Sequence, residues 1–469
     1  MNRLSRRLYP NTDPAHPIRS VHLGLGAFHR AHQAWYTHAA AAVDPWGIAA
    51  FTGRRPNAAR PLSEQDGLYT LVERGNEGDD ATVVASLSEV RDGADLERWN
   101  ARLSSVDVGV LTITVTEAGY RRNVDGRLDL ADPDVRRDIQ QIRSGSTASV
   151  VTAPGRLAMG FAARRAAGGR PLAVVPCDNV PANGAAARVV VLDLCDAVDE
   201  GLGSWVRENV AFVSTVVDRI TPAAIAKDRQ SAALLTGWDD AVPVVTEPFT
   251  EWILAGNFPA GRPAWECAGA RVVDDVAPFE DRKLWLLNGG HTLLAYTGLA
   301  RGHRGVAEAL ADTACREWLD RWWDEAESFL PFPAEELATY RQSLLDRFSN
   351  ARIGYRLAQI AADGSQKLPV RVLPVLRLAR QRGSAPPQGA VRALGGWMAH
   401  VRAAGGAVRD PRAEQLAAHA RGSALSTTRA NLAMIAPDLA HDEAVVSQVA
   451  EACRELEVSY RRLAAKEKP

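Results

Sequence analysis

Three polar side chains stand inside an apolar stretch, KLWLLNGGH (283–291), that is otherwise typical of a buried helix. On an α-helix with about 100° per residue, Lys283, His291 and Asn288 lie at about 0°, 80° and 140°, so they can converge on one side. A buried lysine is costly as a cation, and a lysine whose pKa is lowered can serve as a general base. We therefore expect Lys283 to accept a proton, which Glu280 could receive or relay. The structural alternative is a domain-boundary helix in which the asparagine and the histidine are simply satisfied.

Two adjacent glycines, Gly289 and Gly290, follow Asn288 in the same stretch. Each glycine costs about 1 kcal/mol relative to alanine in the interior of a helix. Because glycine has no side chain, we expect the pair to leave room for a ring or a substrate against the helix.

Lysine is scarce in this chain, which has 55 lysine and arginine residues together. The lysines are Lys227, Lys283, Lys367, Lys466 and Lys468. Arginine stays protonated near neutral pH whereas lysine can lose its proton, so lysines within distinctive sequence are candidates for chemistry. Lys367 and Arg371, in DGSQKLPVR (363–371), could bind the oxygens of a polar substrate. The alternative for this pair is an interdomain salt bridge.

The segment HLGLGAFHR (22–30) combines a strand, a Gly-x-Gly turn and a helix. This order fits a dinucleotide whose pyrophosphate lies at a helix N-terminus, although His29 replaces the third glycine of the usual pattern. The candidate cofactor contacts here are Gly24, Gly26, Ala27 and Phe28. A plain strand–turn–helix is the alternative.

The residues after the next predicted strand bear on the choice of cofactor. The segment TGRRP (52–56) carries Arg54 and Arg55 and no acid that would bind the ribose 2′-hydroxyl of NAD. Arginines at this place can accept a 2′-phosphate. We therefore expect NAD to be used and NADP to be tolerated.

Polar residues also close another predicted strand, in CDNVPANG (177–184). Ligands bind at the carboxyl ends of parallel strands, which is where Asp178 and Asn179 fall. We take both as ligand-binding candidates, Asp178 for the cofactor. An Asx turn is the alternative, and we favour a turn for Asn183.

These segments belong to two different parts of the chain. Strand-like and helical runs alternate over 1–280, which predicts an α/β domain with a parallel or mixed doubly wound sheet. Helical periodicity dominates over 281–469, which predicts a mostly α-helical domain. Two segments are predicted as strands, TVVASLSEV (82–90) and NVAFVSTVVDRITP (209–222), and a helix is predicted from about Phe28 to Val43.

The bulk composition excludes several classes of function. A net charge of −1 does not suggest nucleic acid or an anionic membrane surface as the main partner. The N-terminus lacks the apolar core of a secretory signal, and no apolar run approaches the ~18 residues of a membrane span. Scattered cysteines without CxxC spacing argue for reduced thiols in a cytoplasm and against a zinc site.

Several segments together resemble the polyol-specific long-chain dehydrogenases, the mannitol dehydrogenase and fructuronate reductase family. They are GLGAFHRAHQAWY, QDGLYTLV, TVTEAGY, PCDNVPANG, VVDRITP, KLWLLNGGHTLLAY and DGSQKLPVR, in the family's order from residue 21 to about 374. The resemblance implies a Rossmann-type N-terminal domain, a mostly α-helical C-terminal domain and no zinc. It also implies roles for individual residues: a catalytic set of Lys283, Asn288, His291 and Asn179, proton transfer to solvent through Glu280, and substrate contacts from Asp218 and Lys367.

We therefore expect an NAD(P)-dependent oxidoreductase that interconverts a polyol or sugar acid with its ketose, of the mannitol/fructose type. Fructuronate reductase (mannonate oxidoreductase) and mannitol-1-phosphate 5-dehydrogenase are alternatives, because the family's substrate groups share these motifs. Two rivals from other classes are a catalytically silent dinucleotide-binding regulator and a lysine Schiff-base enzyme. The expected protein is cytoplasmic, and a monomer or a small homo-oligomer.

Overall fold

The computed structural model of the 469-residue chain describes residues 1–10, 12, 14–53, 56–146, 149–403 and 408–466, with side chains up to residue 460. The backbone divides into two compact units, Met1–Ala277 and Pro278–Pro469. Within the described residues every strand belongs to the first unit, and the second unit is built of helices. The predicted α/β class, with an α/β N-terminal part and a mostly α-helical C-terminal part, is confirmed.

The strands of the first unit are short. In chain order they are β1 Asn2–Arg3, β2 Ile18–Leu23, β3 Gly47–Phe51, β4 Tyr69–Arg74, β5 Asp79–Val84, β6 Leu87–Arg91, β7 Val110–Ile113, β8 Leu172–Pro176, β9 Val210–Phe212, β10 Ser214–Asp218, β11 Trp238–Asp239, β12 Val244–Thr246, β13 Glu251–Ala255 and β14 Arg271–Val272. One parallel sheet has the order β6-β3-β2-β7-β8-β9. This is the doubly wound order of the Rossmann fold, in which ligands bind at the carboxyl ends of the strands where the order reverses, here between β2 and β7.

Smaller sheets account for the other strands, in the orders β12-β4-β5, β10-β13-β14 and β1-β11. The segments predicted as single strands therefore each divide between two sheets. Residues 82–90 end β5, which pairs antiparallel with β4, and begin β6, which joins the parallel sheet beside β3. Residues 209–222 likewise hold β9 and β10. A chain that passes from one sheet to another keeps its β-branched composition, so the pattern does not show the break.

Nine helices of the first unit connect these strands in the described residues. They are α1 Ala27–Ala31, α2 Gln33–Ala40, α3 Ala59–Ser63, α4 Leu96–Ser104, α5 Pro133–Arg143, α6 Ala153–Ala166, α7 Asn183–Val198, α8 Glu200–Asn209 and α9 Ala226–Thr236. The single helix predicted over 28–43 is broken at His32, whose φ and ψ are −120° and −89°. The His32 ring hydrogen-bonds to the carbonyl of Glu251 at 2.9 Å and packs edge-on against Trp252, and these tertiary contacts accompany the break.

The second unit begins with one long helical passage and continues as a helical bundle. Its elements are α10 Ala277–Arg282, a π-helical segment Lys283–Gly289, α11 Gly290–Ala300, α12 Val306–Ala311, α13 Thr313–Glu327, α14 Ala334–Ser349, α15 Leu357–Ile360, α16 Gly364–Arg371, α17 Leu373–Gln381, α18 Gln388–Ala403, α19 Ala413–Ala420, α20 Ala424–Ile435 and α21 Glu443–Lys466. In α11 every residue except Leu299 is buried. A helix that is apolar on all sides lies in the interior, so α11 forms the centre of the bundle.

Candidate active site

The stretch KLWLLNGGH does not form the regular α-helix that we predicted. Residues Lys283–Gly289 form a π-helical segment, here called the π-turn, between α10 and α11. In a π-helix the backbone hydrogen bonds join residues i and i+5, so residues five positions apart lie one above the other. Lys283 and Asn288 are such a pair. The angle of about 140° that an α-helix would put between them is therefore reduced, which brings both residues to the same side of the helix.

The side-chain amide of Asn288 is a buried hydrogen-bond donor. Its Nδ2 is buried and has no hydrogen-bond partner among the described residues. Its backbone carbonyl accepts the hydroxyl of Thr292 at 2.8 Å, and Arg371 Nη1 donates to that hydroxyl at 3.2 Å. A buried donor without an acceptor is costly, so this amide is suited to an oxygen that arrives with a ligand.

The other predicted catalytic residues of the second unit lie on the same helical passage. Glu280 is half-buried on α10, three residues before the half-buried Lys283, a spacing that makes them neighbours on a helix. His291 is buried on α11, and its ring stacks on Phe348 with 4.2 Å between the centroids. The passage α10–π-turn–α11 therefore holds a candidate acid–base group, Lys283, with an acidic neighbour and a fixed imidazole.

The two glycines of this stretch leave room beside the helix, but side chains of the same chain fill that room. A Cβ on Gly289 would lie 2.8 Å from Trp322 Cζ2, and a Cβ on Gly290 would lie 3.2 Å from Trp323 Nε1. The expectation of a substrate or cofactor ring against these glycines is therefore corrected. They allow two tryptophans of α13 to approach the π-turn.

Lys367 and Arg371 both lie on α16. The Lys367 ammonium donates to the carbonyls of Ile360 and Ala362, at 3.2 and 2.6 Å, and lies 3.9 Å from a carboxylate oxygen of Asp363. Burial lowers the pKa of Lys367 and, more completely enclosed, that of Arg371. Arg371 donates to the hydroxyl of Thr292, which in turn donates to the carbonyl of Asn288. The substrate contacts of Lys367 and Arg371 stay predictions.

In the first unit the Gly-x-Gly turn follows β2. Gly24 has a φ of +108°, and a Cβ on it would collide with the carbonyl oxygen of Thr114 just after β7. Only glycine fits there. A Cβ on Gly26 would meet only the carbonyl oxygen of Gly24, at 3.6 Å, so the backbone at Gly26 is open to a close approach.

A cavity of about 410 Å³ lies at this end of the parallel sheet. Gly24, Gly53, Thr114, Thr152 and Arg156 are among its lining residues, which come from the ends of three strands and the start of α6. The volume is that of a small-molecule site, and its place is the switch point of the sheet. These residues fit a dinucleotide, because the glycine turn and the strand ends meet at one cavity.

The predicted cofactor contacts are thus only partly placed at this cavity. Gly24 lines it, whereas Gly26, Ala27 and Phe28 do not, and their contacts stay predictions. Arg54 and Arg55 lie outside the described residues. Sequence reasoning missed Thr114, Thr152 and Arg156, although the rule that ligands bind at strand ends, applied to β7, would have found Thr114. The guanidinium of Arg156 lies 3.4 Å from the carbonyls of Thr52 and Gly53, directly after β3.

Asp178 and Asn179 follow β8, as predicted. The Asp178 carboxylate accepts the backbone N–H of Val115 at 2.5 Å and the hydroxyl of Tyr120. Burial raises the pKa of Asp178 to about 7. This side chain therefore joins the end of β8 to the loop after β7, and a contact with the cofactor stays a prediction. Asn179, next to it, is exposed.

Asp218 ends β10 and faces Glu251 across the β10–β13 ladder. Residues directly opposite in an antiparallel pair present their side chains on the same face. Burial raises the pKa of Tyr36 to about 12, and both of these carboxylates add to the rise. Two carboxylates thus stand beside each other, Asp218 buried and Glu251 half-buried.

Metal and membrane features are absent from the part of the chain that the structure describes. Within those residues no three or more His, Cys, Asp or Glu side chains are grouped so that they could hold a metal ion. Among the same residues no helix combines the length and the apolar character that crossing a membrane requires. The cysteines are free thiols, and only Cys267 is exposed.

Both units of the chain match families of known proteins. The family described as Mannitol dehydrogenase Rossmann domain matches residues 18–267, and Mannitol dehydrogenase C-terminal domain matches residues 275–457. D-mannonate oxidoreductase of Escherichia coli (strain K12) is 36% identical over 395 residues, 82% of this chain and 80% of that protein. D-arabinitol 4-dehydrogenase of Ralstonia nicotianae is 36% identical over 386 residues, 79% of this chain and 80% of that protein. The solved ternary complex of Pseudomonas fluorescens mannitol 2-dehydrogenase with NAD and D-mannitol is 30% identical, with a TM-score of 0.79, and the match covers 99% of this chain and 97% of that one.

Proposed function

This chain belongs to the mannitol dehydrogenase family, and from that premise we propose that it oxidises one secondary alcohol of a neutral polyol to a ketone, with NAD and without a metal. The family and the class of enzyme, an oxidoreductase, are as predicted from the motifs, and both are confirmed. What we propose beyond the family is a neutral polyol as substrate, Lys283 as general base and catalysis without zinc.

One observation carries the proposal: Lys283 and Asn288, whose buried Nδ2 has no partner among the described residues, stand five residues apart in a π-helical segment. That spacing brings both residues to one side of the helix. When an alcohol becomes a ketone, its hydroxyl proton leaves and negative charge develops on the oxygen. Neutral Lys283 accepts that proton as a general base. Asn288 Nδ2 donates to the same oxygen, a stabilisation worth about 3 kcal/mol in comparable sites. Both groups act on one atom, so they need to share one face of the helix.

The remaining residues support this step. Glu280, one helical turn before Lys283, passes the proton on toward solvent, and His291 orients the substrate hydroxyls from its place against Phe348. The family resemblance gives Asn179 a second hydrogen bond to the substrate, and this remains a prediction. Bound NAD supplies the acceptor for the hydride that leaves the carbinol carbon. The cavity at the Gly24 turn is where this chain would hold NAD.

The preference for a neutral polyol rests on the substrate contact that the family resemblance gives to Asp218, beside which Glu251 stands. Carboxylates accept hydrogen bonds from several hydroxyls, and they repel a substrate that carries a carboxylate or a phosphate. The relatives include enzymes named for D-mannonate, D-arabinitol and D-mannitol, so similarity alone does not select among these classes. We place D-mannitol and D-arabinitol first, and D-mannonate and mannitol 1-phosphate second.

A substrate panel read by the absorbance of the reduced nicotinamide tests the proposal. D-mannitol, D-arabinitol, D-mannonate and mannitol 1-phosphate are each offered with NAD and with NADP. We expect the highest kcat/KM with NAD and a neutral polyol. Turnover that is highest with D-mannonate or mannitol 1-phosphate would contradict the assignment to neutral polyols. No turnover with any substrate would favour a silent regulator that retains the fold.

Two further points follow from the same experiment. Tolerance of NADP depends on Arg54 and Arg55, outside the described residues, and the cofactor titrations decide it. Borohydride added with fructose would trap the protein if Lys283 formed a Schiff base instead of acting as a base, and we expect no trapping. We place the activity in the cytoplasm, where the reduced thiols of the chain are stable.

A further inference from the structure

Two tryptophans of α13 donate hydrogen bonds to the backbone of the π-turn. The indole N–H of Trp322 donates to the carbonyl of Trp285, and that of Trp323 donates to the carbonyl of Leu286, each at 2.9 Å. Both tryptophan side chains are fully buried. A carbonyl oxygen has two lone pairs, so it can accept an indole donor in addition to a helical one.

Gly289 at the end of the π-turn and Gly290 at the start of α11 lie against these tryptophans. A Cβ on Gly289 would collide with the Trp322 ring at 2.8 Å, and a Cβ on Gly290 would crowd Leu319 at 3.0 Å and the Trp323 indole nitrogen at 3.2 Å. Removal of two side chains thus lets two indoles reach the helix backbone. A substrate pocket would have needed only the space, whereas here the space is filled by groups that donate to the π-turn itself.

The bonds matter because the π-helix is a rare alternative to the α-helix. The two conformations differ by one residue per turn, and single π-turns inside α-helices occur frequently at functional sites. If the segment relaxed to an α-helix, Lys283 and Asn288 would separate by about 140° around the axis. One of them would then leave the face on which the other lies.

We propose that Trp322 and Trp323 are positioning residues that hold Lys283–Gly289 in the π-helical form, so that Lys283 and Asn288 address the same substrate oxygen. This inference rests on the proposed function, in which those two groups act on one atom. Neither tryptophan contacts the reacting atoms; each acts through the backbone carbonyl that it binds.

The test compares Trp322→Phe with Trp318→Phe. Trp318 is one turn earlier on α13, and its ring packs against the guanidinium of Arg392, 4.7 Å from the ring centroid. In Trp322→Phe we expect kcat to fall at least about tenfold, with the KM for NAD unchanged within about twofold. If Lys283 is the general base, kcat for oxidation rises with pH as Lys283 loses its proton. In Trp322→Phe this rise should move to higher pH, because water that reaches Lys283 favours its protonated form. Trp318→Phe should leave all three quantities unchanged.

Hydrogen exchange gives a readout that does not need activity. The peptide that covers Lys283–Gly290 should exchange faster in Trp322→Phe than in the wild type or in Trp318→Phe, while the peptides of β2 and β7 should not change. Mere loss of stability would speed exchange throughout the second unit and would not move the pH profile. If Trp322→Phe does not fold, Trp323→Phe, which removes the bond to Leu286, decides by the same criteria.

The outcomes separate this inference from the proposed function. A folded Trp322→Phe that keeps more than about half of the wild-type kcat, with an unchanged pH profile and unchanged exchange, overturns the inference. The proposed function stands in that case if Lys283→Arg is inactive in the same assay. An active Lys283→Arg overturns the proposed function, whatever the tryptophan variants do.

Discussion

Two asparagines of this chain differ in what surrounds their amide nitrogens. Asn183 Nδ2 donates to the carbonyls of Asp178 and Thr215, at 3.1 and 3.0 Å, and its Oδ1 accepts the N–H of Thr215. Asn183 is therefore structural, but the turn favoured from the sequence is wrong, because Asn183 is the first residue of α7. Asn288 Nδ2 is buried with no partner in the described part of the chain. The first amide stabilises the fold, and the second is available to a ligand.

This difference predicts opposite effects of alanine substitution. Asn288→Ala should lower kcat by about 10²–10³-fold, as loss of one oxyanion donor does. Its thermal stability should stay the same or rise, because an unsatisfied buried donor, which costs about 1–3 kcal/mol, has been removed. Steady-state kinetics and thermal unfolding measure both effects. Asn183→Ala is the control and should be clearly destabilised. Equal destabilisation of the two variants would show that Asn288 is structural.

Asp178 predicts how stability depends on pH. Its pKa in the folded protein is about 7, above the ordinary 3.8, because it is buried. Between these values the folded state holds a proton that the unfolded state has released, so stability falls as pH rises from about 4 to 7. The contribution lost is at most about 4 kcal/mol. Urea unfolding of the wild type and of Asp178→Asn over this range should show the decline only in the wild type. Parallel curves would mean that Asp178 titrates normally.

At the scale of single elements, the sequence predicted those features that depend on neighbouring residues alone. The Gly24 turn after β2 and the polar residues after β8 were predicted because strand ends and glycine turns are written in adjacent residues. The π-turn was not predicted, since π- and α-helices share residue preferences and differ by one residue per turn. Its partners, Trp322 and Trp323, stand more than thirty residues along the chain, and no local pattern links them to Gly289 and Gly290.

The dinucleotide turn predicts different outcomes for its two glycines. Gly26→Ala should fold normally, because the new Cβ meets only an oxygen at 3.6 Å. Its affinity for NADH should fall about tenfold or more, ~1.4 kcal/mol, since the methyl group occupies the approach to the phosphates. NADH titration by fluorescence and thermal unfolding measure this. Gly24→Ala, with a φ of +108° and a collision with Thr114, should instead lose stability by at least about 1 kcal/mol. Unchanged NADH affinity in Gly26→Ala would place the pyrophosphate elsewhere.

At the scale of the whole molecule, the division into an α/β unit and a helical unit could be predicted because the period of the apolar pattern changes once along the chain. The strand order β6-β3-β2-β7-β8-β9 is of the doubly wound kind that the alternation of strands and helices predicts. The smaller sheets could not be predicted. No turn signal separates β5 from β6 or β9 from β10, so each pair of strands has the sequence pattern of one strand. The fold thus follows from repeated local units, while the site depends on contacts between distant segments.

The whole molecule should also work without a metal ion. No group of ligands that could hold one occurs in the described ranges, and the proposed base is an amine that needs no Lewis acid. Dialysis against a chelator should leave kcat unchanged, as measured with the best polyol of the panel. The control is the same dialysis without chelator. Activity that is lost to the chelator and restored by zinc would contradict metal independence.

The most direct test of the account is kcat of Lys283→Arg for polyol oxidation, measured beside Lys227→Arg. Guanidinium stays protonated and cannot accept the hydroxyl proton, so kcat should fall at least about 10²-fold. NADH affinity should hardly change, because Lys283 acts on the substrate oxygen. Lys227, exposed on α9, should tolerate the change. If Lys283→Arg keeps more than about a tenth of the wild-type kcat, with the same pH profile, Lys283 is not the general base.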